Sequence, residues 1–207
     1  ADVVLYDSSD KLTKEDLEAK LPGESKAVCI AGELPEEVEL SIQAAVLSPG
    51  VPTDIPLVNR MRDRGVQILG EIELGFLAEQ GRVIAITGTN GKTTTTTLTG
   101  EIMKAHFGAE KTFVVGNIGN PYTLEVTKTS KDSVTVGEIS SFQLETIHTF
   151  HPVVSAILNI TPDHLNRHHT MEAYVAAKEA VASQQTKADI CVLNYDNDYT
   201  RDFAGRC

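Results

Sequence analysis

Nine short apolar runs recur along the chain, at residues 3–6, 27–31, 44–47, 66–69, 83–87, 112–115, 134–139, 153–160 and 190–193. They are rich in β-branched residues and too short for a helical period, so they predict strands buried on both faces, as in a parallel sheet. Helix-length stretches at 14–20, 57–64, 92–107 and 171–184 lie between several of them. That alternation predicts an α/β fold with a mainly parallel sheet. The segment 71–81 separates two such series, because a strand, a glycine-bearing turn and a helix start directly after it. Two domains are therefore expected, 1–80 and 81–207. The first opens on a strand with no glycine-rich turn ahead of it and the second stops just after one, so both are expected to be incomplete.

Composition narrows the class. Of 207 residues 41% are hydrophobic and 23% charged, with 15 Gly and 8 Pro, which excludes disordered, collagen-like and low-complexity chains. No apolar run approaches the roughly 18 residues of a membrane helix. The net charge of -11 argues against a broad basic face for nucleic acid, so any anionic ligand needs positive charge supplied locally. Cys29, Cys191 and Cys207 form an odd set without a Cys-x-x-Cys pair. They read as reduced thiols of a cytoplasm, packed as small hydrophobic side chains.

Three clusters carry candidate chemistry. The run 83–87 leads into Gly88-Thr89-Asn90-Gly91-Lys92-Thr93-Thr94, the strand–turn–helix context of a phosphate-binding loop. The glycines let successive N–H groups face one anion, Lys92 adds a mobile positive charge, and the following helix adds its dipole. Thr93 can place its hydroxyl on Mg2+. The residue five before Gly91 is Ile86 rather than Gly, so the loop is a variant of the usual spacing. A second cluster, Gly137-Glu138-Ile139-Ser140-Ser141-Phe142-Gln143-Leu144-Glu145, places Glu138 at a strand's carboxyl end, where it can reach a metal held on phosphates. Ser140 and Gln143 are candidates for substrate contact, with an N-cap as the alternative for Ser140. The third, Asn159 through His169, follows another strand. Within it His164, beside Asp163, is the candidate metal or phosphate ligand, and His168 and His169 are assigned to a surface loop. Lys178 lies at a spacing that can return it to this edge, against the alternative of a solvated lysine.

Taken together, these clusters resemble the Mur ligase family, the ATP-dependent enzymes that add amino acids to the peptidoglycan precursor. The loop at 88–93, Thr161-Pro162-Asp163-His164 and Ala176-Ala177-Lys178 look like family-wide motifs, the last two its metal-binding histidine and modified lysine. Ser48-Pro49-Gly50-Val51, Gly116-Asn117-Ile118-Gly119 and Ser140-Ser141-Phe142-Gln143-Leu144-Glu145 resemble the D-glutamate-adding branch more narrowly. The resemblance implies a Rossmann-like UDP-binding domain, then a P-loop ATPase domain, in a bacterial cytoplasm. ATP and Mg2+ are the implied cofactors, UDP-N-acetylmuramoyl-L-alanine and D-glutamate the implied substrates. It implies that Asp7, Ser8 and Ser9 lie near uracil, that Ser48, Pro49 and Gly50 line the uridine or diphosphate pocket, and that Asn117 touches the acceptor. Lys92, Glu138, His164 and Lys178 would carry catalysis, with Thr93, Glu138, His164 and Lys178 on the metal. The rival readings are another Mur-type or folylpolyglutamate-type ligase, and a nucleotide-binding module without catalysis.

Overall fold

Every one of the nine apolar runs forms a strand in the computed structural model, which describes residues 2–207: β1 Val4–Asp7, β2 Val28–Ala31, β3 Ala44–Leu47, β4 Gln67–Gly70, β5 Arg82–Thr87, β6 Thr112–Gly116, β7 Val134–Glu138, β8 Val154–Ile157 and β9 Ile190–Leu193. All ladders are parallel. Strands β5 to β9 make one sheet in the order β6-β7-β5-β8-β9, whereas the first four strands form two separate pairs, β1-β2 and β3-β4. The run 153–160 supplies only Val154–Ile157 as strand, and Leu158 N–H still donates to Thr87 O of β5 at 3.0 Å.

The four long helical stretches are α1 Lys14–Glu18, α3 Pro56–Asp63, α5 Lys92–Phe107 and α9 Met171–Glu179. The pattern missed α2 Glu36–Ser41, α4 Glu71–Ala78, α6 Tyr122–Glu125, α7 Ser141–Leu144, α8 Leu165–His168 and α10 Asp198–Phe203. Among these, α4 occupies the segment expected only to separate two series. Its Ile72 is fully buried in the core of the larger sheet, with Val83, Val115, Tyr122 and Phe150. Its Glu73, 1% exposed, accepts the N–H groups of His148, Thr149 and Phe150, so a buried carboxylate caps the turn after α7. The cysteines follow the expectation only in part. Cys29 is buried, Cys191 half-buried and Cys207 exposed, because the last turn after α10 faces outward.

Parallel pairing brings the carboxyl ends of β5, β6, β7 and β8 to one edge. At that edge Gly116 adopts φ +104°, and a Cβ there would stand 2.3 Å from the Glu138 carbonyl oxygen. The same close approach lets Asn117 N–H donate to Glu138 O at 2.8 Å. Gly116→Ala is therefore expected to cost about 3 kcal/mol, left-handed strain plus a backbone overlap. Urea denaturation of the variant checks it, and a loss below about 1 kcal/mol would contradict this register.

Candidate active site

The phosphate loop is built by the turn from β5 into α5. Gly88 and Gly91 take φ +147° and +82°, and a Cβ on Gly88 would press on Leu158 and the Asn159 backbone at 3.1–3.3 Å. Asn159 splints the loop: its backbone O accepts from Thr89 N–H, its Oδ1 accepts from Asn90 N–H, and its Nδ2 donates to Asn90 O. With Asn90 N–H so engaged, the N–H groups from Gly91 to Thr94 have no protein acceptor among the described residues. They lie at the positive end of a 16-residue helix, the setting in which phosphate binds. Lys92 Nζ is parked on Thr89 O at 3.0 Å, and Thr93 is exposed at the helix start.

Beside the loop lies a cavity of about 260 Å³. Lys92, Asn117, Ser140, His164, Tyr174 and Lys178 all reach its wall. Glu138, 1% exposed, accepts from Asn117 Nδ2 through Oε1 at 2.8 Å, while its Oε2 is buried without any hydrogen-bond partner among the described residues. A buried carboxylate oxygen left unpaired is costly, and a cation bound beside it would give it a partner. The described residues hold no group of three or more His, Cys, Asp or Glu side chains fit for a metal. His164 sits at φ 51°, a left-handed value uncommon outside glycine, with its ring 4.9 Å from that of Phe142.

Lys178 is the most unusual group. Only 2% exposed, it donates to Gly88 O at 2.8 Å and lies 4.7 Å from the centre of the Tyr174 ring. Burial, and then the neighbouring Lys92, push its pKa down to about 7, so the solvated-lysine alternative does not hold. Tyr174 in turn bonds Thr89 Oγ1 at 3.1 Å, tying α9 to the phosphate loop.

The remaining candidates divide. Ser140 is the N-cap of α7 and closes a capping box with Gln143, whose Oε1 accepts from Ser140 N–H at 2.9 Å. Gln143 lines a second, very small cavity together with Ser48, Pro49 and Arg167 rather than the one beside the loop. Asp7 ends β1 and Ser8 and Ser9 follow it, Ser9 N–H donating to Asp7 Oδ1, and none of the three lines either cavity. His168 corrects the surface assignment: it is 7% exposed, shares a 2.9 Å bond with Ser141 Oγ, and burial lowers its pKa. His169 is exposed as expected.

The Mur ligase middle domain, as a family model, matches residues 86–207, more than half of the chain and all of the phosphate loop, Glu138, His164 and Lys178. The chain belongs to the Mur ligase family. Curated Mur ligase relatives extend the similarity to the N-terminal part. The chain is 58% identical over 207 residues to the UDP-N-acetylmuramoylalanine--D-glutamate ligase of Lachnospira eligens, and 54% over 206 residues to the protein of that name from Lachnoclostridium phytofermentans. All of this chain is covered in each case, but it spans only 45% of either relative's length. Two solved Mur ligase structures share the fold. A Neisseria meningitides UDP-N-acetylmuramate:L-alanyl-gamma-D-glutamyl-meso-diaminopimelate ligase superposes with TM-score 0.57 at 13% identity, covering 99% of this chain and 67% of that one. A Psychrobacter arcticus murein peptide ligase gives 0.53 at 14%, covering 99% and 46%.

Within this Mur ligase chain, sequence reasoning missed Tyr174 and the splinting role of Asn159. Asn159 was visible as a polar residue directly after a strand of the same edge. Nothing local marks Tyr174, whose hydroxyl meets Thr89 only because α9 crosses the loop.

Proposed function

We propose that this chain supplies the sugar-nucleotide and phosphoryl-transfer parts of an ATP-dependent acid–amino-acid ligase. The reaction is addition of D-glutamate to UDP-N-acetylmuramoyl-L-alanine through an acyl phosphate, in peptidoglycan precursor synthesis. One observation carries the reading: the free N–H groups of the phosphate loop, the orphaned Glu138 oxygen, His164 and the neutral-prone Lys178 converge beside one cavity. The relatives' names point to the same substrates.

An acceptor carboxylate and the γ-phosphate of ATP repel, and bound Mg2+ supplies the charge that lets them meet. In this reading the N–H groups of Gly91 to Thr94 hold phosphate oxygens, and Lys92 leaves Thr89 O to follow the transferring group. Thr93 and Glu138 hold the nucleotide's cation. His164 and a carbamate on Lys178 hold a second one, and Asn117, already fixed by Glu138, meets the acceptor. Residues 1–80, through Asp7, Ser8, Ser9, Ser48, Pro49 and Gly50, hold the uridine diphosphate; residues 81–207 hold ATP.

The test is coupled ADP release by the full-length protein that contains this chain. Release is expected only with UDP-N-acetylmuramoyl-L-alanine present, and amide formation only with D-glutamate added. The 207-residue chain alone is expected to bind ATP without forming the amide, since in-line attack needs both substrates held at near-attack distance. ADP release indifferent to the acceptor would replace the ligase reading with a nucleotide-binding module.

A further inference from the structure

Arg167 and Glu145 each lie in a motif read from the sequence, and neither has a role in the chemistry above. Their side chains are 13% and 15% exposed. Arg167 binds Glu145 through two bonds, Nε to Oε1 at 3.2 Å and Nη2 to Oε2 at 2.7 Å. The pair also reaches out of the larger sheet's surroundings to the loop after β3: Arg167 Nη2 donates to Val51 O at 3.0 Å, and Glu145 Oε2 accepts from Thr53 Oγ1 at 3.3 Å. That loop is itself pinned to α3, where Arg62 donates to Thr53 O and Asn59 to Asp54 O. On its other face the Arg167 guanidinium stacks 5.0 Å from the centre of the Phe142 ring, whose further neighbour is His164.

We propose that Arg167 and Glu145 are a positioning pair that registers the Ser48–Gly50 turn against the segment carrying His164. The inference rests on the ligase reading, in which these two segments hold the two ends of one acceptor. A largely buried ion pair is a poor way to gain stability, because desolvation consumes much of its attraction; its distinctive product is a defined geometry. Arginine suits that task, since its planar fork fixes a carboxylate in two bonds and spares a third donor for a carbonyl. A second ion pair between this loop and the 164–169 segment, His169 to Asp54 at 3.5 Å, is exposed on both sides and screened by solvent.

The experiment compares Arg167→Met, Arg167→Lys and Glu145→Gln with the parent in the full-length protein. In Arg167→Met, affinity for an ATP analogue should stay within about twofold, while kcat/KM for the acceptor falls at least about 30-fold, mostly in kcat. Glu145→Gln keeps the side chain's size but turns one of the two acceptors of the fork into a donor facing Arg167, so it should lose nearly as much; Arg167→Lys, without the fork, should recover little. Acceptor turnover within about threefold of the parent, or ATP affinity falling in step with it, would overturn the proposal. If the parent itself shows no acceptor-dependent ADP release, the ligase reading fails on its own, and amide exchange of the 207-residue chain decides the pair's role. Faster exchange at 48–54 and 164–169 in Arg167→Met, with 88–97 unchanged, supports it; unchanged exchange at 48–54 overturns it.

Discussion

Replacing Lys178 by Ala in the full-length protein is expected to lower ligation by about 100-fold, and short-chain carboxylic acids are expected to restore part of the loss. The reason lies in what burial does to this amine. An ammonium has three donors and no acceptor, so it repels a cation, whereas a carbamate presents oxygen ligands and negative charge. Attack on CO2 needs the free amine, which then sheds a proton to solvent. With a pKa near 7 rather than 10.5, Lys178 has that free amine available at neutral pH. The same shift marks stability. Between about pH 7 and 10.5 the unfolded chain binds the proton that the folded chain has released, so stability should rise with pH across that window. Below about pH 7 the folded state bears the full burial penalty. Lys178→Met should flatten the rise, measured as urea midpoints at several pH values. Full activity of unrescued Lys178→Ala would make the lysine a spectator.

Lys92→Glu should weaken nucleotide binding by more than about 100-fold in the 207-residue chain, read by titration with a fluorescent ATP analogue. The change swaps an attractive charge for a repulsive one beside the phosphates. At 4 Å and an effective dielectric of about 20, each such pair amounts to roughly 4 kcal/mol before screening. The four N–H groups and the helix dipole remain, so residual binding is expected, but a net charge of -11 offers no long-range compensation. A Lys92→Glu chain that bound the analogue as tightly as the parent would remove the loop from the phosphate site. Lys92→Met carries a second signature: with the neighbouring positive charge gone, the Lys178 pKa should rise.

Much of this molecule was legible along the chain. Each of the nine apolar runs became a strand, but burial on both faces holds only for the middle of the larger sheet, as in β7; β1, β3 and β9 leave Val4, Val46, Ile190 and Val192 exposed, because strands at a sheet's edge or in a two-stranded pair lack neighbours to cover them. The phosphate loop was equally local, since two glycines, a lysine and a helix start suffice to define it. The capping box of α7 was also written in place, Ser140 followed three residues on by Gln143. The short helices other than α1, and the eight-residue α4, escaped because a stretch of one or two turns shows little period of its own. They are held by caps and by packing, as α8 is when it carries His168 inward to Ser141.

Convergence is what the tertiary structure alone decided. Lys178 was an ambiguous lysine until α9 laid it under Gly88 O, 90 residues earlier in the chain. Arg167 and Glu145, 22 residues apart, meet Val51 only because the loop after β3 packs against α7 and α8. Hydrophobic alternation and turn chemistry are read from neighbours in sequence, so they set which segments become strands and where the phosphate loop turns. Which side chains then share a cavity depends on the sheet order β6-β7-β5-β8, which gathers four carboxyl ends from distant segments. Cooperative packing selects that order over the whole chain, and no local window contains it.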